Sequence, residues 1–243
     1  MHAKLQQAIA SGASEIELPM QSRNVEMILI PAGQFNMGSP PTEEGHRPSE
    51  GPVRQITISR PFYLGRHEIT QAQYEEVMGT NPSEFRGDDL AIDQISHAMA
   101  FEFCRELSRR MNVEVTLPTE AQWEYACRAG TTSRFCAGDR SEDLDRVGWY
   151  RGNSGETVHE VGRKAPNAWG LYDMHGNVCE HCLDHLPSLE VAADRDPRGT
   201  VNERKGAMRG GGWMHGAEHC RAATRLMSSD RFGGVGIRIA INP

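Results

Sequence analysis

Glycine is spread unevenly along this chain, and its distribution limits the possible folds more than any other feature. Of 25 glycines, 17 lie between Gly130 and the C-terminus. No helical period runs through that half; only "GAMRGGGW" and "GVGIRIAI" read as strands. So long a run of turns in a compact domain needs something other than helices to order it, such as a bound ion or a functional loop surface.

The first half is conventional. "VEMILIPAGQFNMGS" reads as a strand, a turn at Pro31-Ala32-Gly33 and a second strand, and "VRQITI" alternates as a half-buried strand does. "TQAQYEEVMG" has Thr70 and Gln73 at capping-box spacing and Gly79 where a helix stops. "SHAMAFEFCRELSRRM" sets Ala100, Phe103, Cys104, Leu107 and Met111 on one helical face behind Ser96 as N-cap. "TEAQWEYACRAG" repeats the box at Thr119 and Gln122 and ends on Gly130. Three amphipathic helices on short strands, with no linker or internal repeat, predict one α+β domain over 25–243, preceded by an N-terminal arm over 1–24.

Bulk properties exclude several classes. A net charge of −7 without a long basic run argues against a nucleic-acid partner. The longest apolar stretch, Met27 to Ala32, falls far short of the ~20 residues of a membrane helix. The N-terminus has no apolar h-region of a secretory signal. Six scattered cysteines (Cys104, Cys127, Cys136, Cys179, Cys182 and Cys220) make no disulfide scaffold. The expectation is a cytoplasmic protein with reduced thiols and no membrane contact.

"GLYDMHGNVCEHCLDH", Gly170 to His185, is the densest run of ligand-type side chains. A zinc site would combine Cys179 and Cys182 with two of His175, His181 and His185. Against it, a lone C-x-x-C lacks a partner pair, and both cysteines can serve as small buried apolar residues. There is no G-x-S-x-G, and "RGGGW" and "GGVG" match no phosphate loop. Trp123, Trp149, Trp169 and Trp213 read as core and cleft walls.

"MILIPAGQFNMGS", "FYLGRHEITQAQY", "LPTEAQWEYACRAG", "NAWGLYDMHGNV" and "MRGGGW…CRAATR…GVGIRI" together resemble, in order, the formylglycine-generating enzyme (sulfatase-modifying factor) family. The resemblance runs from about Val25 to Ile239. It implies an α+β, C-type-lectin-like fold of low regular secondary structure, which matches the glycine-rich half. Cys179, His181 and His97 stand where relatives carry tryptophan.

The resemblance also implies ligand sets. Family members hold calcium in the Gly170–His185 loop. The matching positions are Asp173, the carbonyls of Gly176 and Val178, and the Glu180 carboxylate, oxygen donors suited to a hard cation. Authentic enzymes bind copper(I) through two cysteines with four residues between them, and oxidise a substrate cysteine with oxygen. Here His215 replaces the first cysteine, and Cys220 keeps the spacing. A copper or iron centre would then draw on His215, His219 and Cys220, with His215 and Cys220 as catalytic candidates.

Arg209, Arg221, Arg225, Arg231 and Arg238 crowd the C-terminal motif. Some are expected to pair with buried acids, and Trp213, Arg221 and Arg225 to line a cleft for an anionic or peptide ligand. The first functional reading is a copper-free binding or accessory module for a peptide, protein or small-molecule ligand. The second is an oxygen-dependent oxidoreductase at His215, His219 and Cys220. The third is formylglycine generation itself.

Overall fold

Capping signals in the first half become hydrogen bonds in the structure, a computed structural model that describes residues 2–189, 192–227 and 233–243. Helix α1 (His2–Ala10) is followed by strands β1 (Glu15–Leu18), β2 (Val25–Ile30), β3 (Gly33–Met37), β4 (Arg54–Ile58) and β5 (Phe62–Gly65). Helices α2 (Gln71–Met78), α3 (His97–Met111) and α4 (Glu120–Arg128) then fall where the sequence puts them. Thr70 and Gln73 close a reciprocal box at 3.2 and 2.9 Å, and Thr119 and Gln122 another at 3.1 and 3.0 Å. Each box satisfies two helix-start N–H groups, worth about 1 kcal/mol. Gly79 caps α2 at φ 71°, whereas the left-handed cap of α4 is Ala129, one residue before the expected glycine.

β2 and β5 lie at the centre of an antiparallel sheet of order β1-β2-β5-β10, where β10 is Ala240–Ile241. Side chains alternate across this sheet into two cores. Val25, Met27 and Tyr63 pack with α2 and α3 through Tyr74, Phe103 and Leu107. Ile28, Ile30, Phe62 and Leu64 pack with α4 through Trp123 and Ala126. A sheet covered on both faces needs the near-continuous apolar run seen in "MILI". The β3–β4 hairpin lies against α4, with Phe35 and Tyr125 rings 5.3 Å apart.

The second half contains the short helix α5 (Ser141–Val147) and a small sheet of order β8-β7-β6-β9. Its strands are β6 (Cys179–His181), β7 (Ala207–Arg209), β8 (Leu226–Met227) and β9 (Val235–Gly236). "GVGIRIAI" is therefore two strands in two sheets. The chain breaks at Ile237–Ile239 as it crosses between them, and Arg238 turns inward at the crossing. α1 and α5 were not expected: α5 is too short to show a period, and α1 lies in the segment read as an arm. Leu5 of α1 is buried in the first core, and β1 pairs with β2 from Glu15↔Ile28 to Leu18↔Val25. Among the described residues no helix is long and apolar enough to cross a membrane.

Candidate functional site

The C-terminal motif leaves β7 through two left-handed glycines, Gly210 (φ 85°) and Gly211 (φ 67°). A Cβ at Gly211 would lie 2.7 Å from Cys220 Sγ, so only glycine lets the returning chain close over that thiol. The segment that follows is a loop with one 3-10 turn, Ala217–His219. Its backbone is tied down: Trp213 N donates to Asn177 O at 2.8 Å, Arg151 N to His215 O at 2.9 Å, and Ser154 Oγ to Trp213 O at 2.9 Å. Trp213 is half-buried edge-on against Phe85 at 5.7 Å, while Met214 is 36% exposed.

His215, His219 and Cys220, the residues expected at a copper or iron centre, do not converge on one point here. The His215 and His219 rings are 5.3 Å apart, but His219 Nε2 lies 2.7 Å from Arg47 Nη2. Arginine only donates, so this contact consumes the imidazole lone pair and leaves the proton on Nδ1, 3.0 Å from Glu218 Oε1. Cys220 is fully buried with Phe135, Leu144 and Val147, and burial pushes its thiol up to about 12. His215 Nδ1 faces a different cysteine, with Cys179 Sγ at 3.8 Å, and burial raises the Cys179 thiol as well. Thiols held in protonated form are poor metal ligands and poor nucleophiles.

In the loop before β6, Asp173 and Asn177 adopt left-handed φ of 57° and Gly176 of 99°. A side chain at Gly176 would meet Trp149 O at 2.1 Å. Glu180 is already saturated with donors: Arg238 Nη2 at 2.7 Å, Arg238 Nε at 3.0 Å, and Trp123 Nε1 at 2.6 Å. Asp173 Oδ2 accepts from Gly162 N at 2.7 Å, and its Oδ1 is buried without a partner. Glu68, not foreseen from sequence, accepts from Asn177 Nδ2 at 2.6 Å and Val178 N at 3.0 Å. Burial and repulsion from Asp173 and Glu180 raise the Glu68 carboxyl well above its usual range, and burial raises Asp173 to about 6. Of the positions expected to hold calcium, Asp173, Gly176, Val178 and Glu180, the Glu180 oxygens are engaged by Arg238 and Trp123, and Asp173 keeps one oxygen without a partner. Among the described residues no group of three or more His, Cys, Asp or Glu is arranged to hold a metal ion.

The zinc alternative dissolves for related reasons. Cys182 packs in the second core. His175 Nδ1 donates to Cys220 O at 2.8 Å while its Nε2 accepts from Cys136 N at 3.0 Å. His181 Nε2 donates to Ile95 O at 2.8 Å, and burial lowers the ring to about 3.

Arg221 and Arg225, expected to line a ligand cleft, are both engaged with buried acids. Arg221 is fully buried and holds Glu50 at 2.7 and 2.9 Å and Glu43 at 2.6 Å. Arg225 holds Glu120 at 2.7 and 3.1 Å. Arg209 donates to Glu124 at 2.5 Å and to Thr224 O at 2.8 Å, while Arg128 takes the other Glu124 oxygen at 2.8 Å. Four of the five arginines thus pair with buried acids, and Arg231 lies outside the described residues. The missed signal was Glu120 and Glu124 at i,i+4 on the face of α4 that also turns inward.

Residues 13–243 match the family model "Sulfatase-modifying factor enzyme 1-like domain". The chain is 28% identical over 239 residues to chaperone protein LppX of Paenibacillus barcinonensis, covering 78% of this chain and 79% of that one. It is 26% identical over 282 residues to the formylglycine-generating enzyme of Mycobacterium tuberculosis, covering 80% and 89%. A serine/threonine-protein kinase, pkn1 of Chlamydia pneumoniae, is 30% identical over 82% of this chain, which spans only 35% of that kinase. Among solved structures, Treponema denticola variable protein 1 superposes with a TM-score of 0.85 at 26% identity, covering 94% of this chain and 99% of that one. PvdO from Pseudomonas aeruginosa gives 0.82 at 25%, covering 94% and 98%.

Proposed function

The chain belongs to the sulfatase-modifying factor enzyme 1-like family, and from that premise we propose that it is a binding or accessory module for a peptide, protein or small ligand. The ligand surface is the loop face of Trp213, Met214, His215 and His219 with Arg47 beside it. One observation carries the reading: a guanidinium sits 2.7 Å from His219 Nε2, where a redox cation would have to bind. A fixed positive charge at that point repels a metal ion and attracts an acidic group. The exposed Met214 supplies an adaptable apolar contact next to it. A relative named as a chaperone supports a protein-handling role.

An oxygen-dependent oxidoreductase is the second reading, favoured by the Cys179 Sγ to His215 Nδ1 contact of 3.8 Å. Formylglycine generation ranks third, since it asks most of the two buried thiols.

The test has two arms. The protein is loaded anaerobically with copper(I), desalted, and incubated with oxygen and a peptide bearing cysteine-x-proline-x-arginine. The expected result is no retained copper and a peptide of unchanged mass; stoichiometric copper with an aldehyde product sinks the proposal. In parallel, a displayed peptide library is panned on the folded protein. Enriched peptides are expected to lose binding to Met214→Asp and Arg47→Gln, and binding indifferent to both variants counts equally against the proposal.

A further inference from the structure

Where β4 ends, four stretches far apart in sequence meet. The Ile58–Pro61 turn, residues 195–198, Gln122 of α4 and Asn242–Pro243 enclose a cavity of about 530 Å³. The 194–196 segment is docked on β4 by its backbone: Thr57 N donates to Asp194 O at 2.7 Å, and Asp196 N to Thr57 O at 2.8 Å. This docking brings Arg195 and Arg198 into one cavity with Arg60.

The three guanidiniums are poorly neutralised. Asp196, the acid in the lining, is turned onto Ser59, accepting from its N at 2.7 Å and its Oγ at 2.5 Å. The nearest guanidinium to it, Arg195, stands off at 3.9 Å. Among the described residues, Arg60 enters no ion pair, and Arg198 makes no contact of ion-pair length but acts at longer range on the buried Asp184, opposing the rise that burial causes in its carboxyl. Gln122 Nε2 donates to Asn242 Oδ1 at 2.7 Å, which leaves the Asn242 amide nitrogen with hydrogens to offer. Three arginine side chains and one aspartate side chain line the cavity, so guanidinium predominates there on a chain whose net charge is −7.

We propose that this cavity binds a small phosphomonoester through its phosphoryl dianion. Planar guanidinium forks match phosphoryl oxygens in pairs, and three of them around one cavity suit a group carrying about −1.5 to −2 at neutral pH. The volume falls within the roughly 300–1,000 Å³ of small-ligand sites, room for more than a bare phosphate ion. Ile58, Pro61 and Pro243 give the organic part an apolar wall. The site shares no residue with the Trp213–His219 face and stands independently of it.

Calorimetric titration of the full chain with glycerol 3-phosphate, inorganic phosphate and acetate at fixed ionic strength tests the assignment. Glycerol 3-phosphate is expected to bind at one site per chain, more tightly than phosphate, with acetate silent. Arg60→Gln and Arg198→Gln are each expected to weaken it roughly 10- to 100-fold, the range of a lost charge-assisted contact. Both side chains are exposed, so the fold is expected to survive their loss. Arg204→Gln, an exposed arginine outside the cavity, controls for net charge and is expected to bind as the parent does. The proposal is overturned by silence toward both phosphates, by acetate binding as well as the ester, by the ester binding no better than phosphate, or by Arg204→Gln weakening binding equally.

Discussion

Two buried ionic clusters in this protein are built on opposite charge ratios. Under the C-terminal motif, Glu120 and Glu124 face Arg128, Arg209 and Arg225. Around the loop before β6, Glu68, Asp173 and Glu180 face Arg238 alone among the described residues. In the first, burial would raise the acids, but His185 and Arg225 bring Glu120 down to about 2, and Arg128 and Arg209 lower Glu124. In the second, with one cation for three carboxylates, Glu68 and Asp173 are raised. Equal burial thus gives opposite proton affinities, and the arginine count decides the sign.

The largest effect is expected at Arg209→Met, which leaves Glu124 short of a partner in a site closed to water. Breaking a buried pair from one side costs about 3–5 kcal/mol, readable as a shift of the urea midpoint. A loss under about 1 kcal/mol would mean that Arg128 suffices for Glu124 and the charge ratio is not what stabilises this cluster.

Next is Asp173→Asn, expected to stabilise the protein at pH 8 by roughly 1–3 kcal/mol, since it removes a charge that burial penalises. Asparagine tolerates the left-handed φ of 57°, and its amide oxygen can still accept from Gly162 N. The pH signs differ between the clusters. Asp173, raised from 3.8 to about 6, contributes stability fully present below pH 3.8 and lost as pH rises through 6. Glu120, lowered from 4.5 to about 2, contributes stability present above pH 4.5 and lost as pH falls through 2. Thermal melts across pH are expected to lose stability on both flanks, with Asp173→Asn flattening only the flank between pH 4 and 7. A variant that keeps the alkaline slope would assign that slope to Glu68.

Trp123→Phe takes one donor from Glu180 and is expected to cost about 1–2 kcal/mol by denaturant titration. Thr119→Ala, which removes the cap that starts α4 and so aims Glu120 and Glu124, is expected to cost about 1 kcal/mol. If Trp123→Phe proved the gentler of the two, Arg238 alone would be satisfying Glu180.

The elements legible in the sequence are those specified locally. Capping boxes at Thr70 and Thr119, the apolar stripe of α3 and the alternation in β2 and β4 each lie within one short window. The family motifs made the fold legible as well, through residues such as Trp169 and Gly176 whose roles depend on distant partners. The site was less legible. Spacing grouped His215, His219 and Cys220, but the chain turns His219 to Arg47, 172 residues away, and seals Cys220 beneath Gly211. Glu68 carried no local signal; its importance comes from Asn177 and Val178, more than 100 positions on. The partners of Arg221 and Arg225 were not legible because their acids, Glu50 and Glu120, lie far upstream in "PSEGP" and "LPTEA".

That last separation bears on how the chain is made. Arg221 reaches back 171 residues to Glu50 and 178 to Glu43. Until Arg221 is translated, Glu43 and Glu50 have emerged without the cation that pairs with both. A carboxylate cannot be buried at low cost alone, so the 43–50 loop cannot close over Glu50 until Arg221 has followed. A transcript truncated before Arg221 codes for a chain that holds those acids in water.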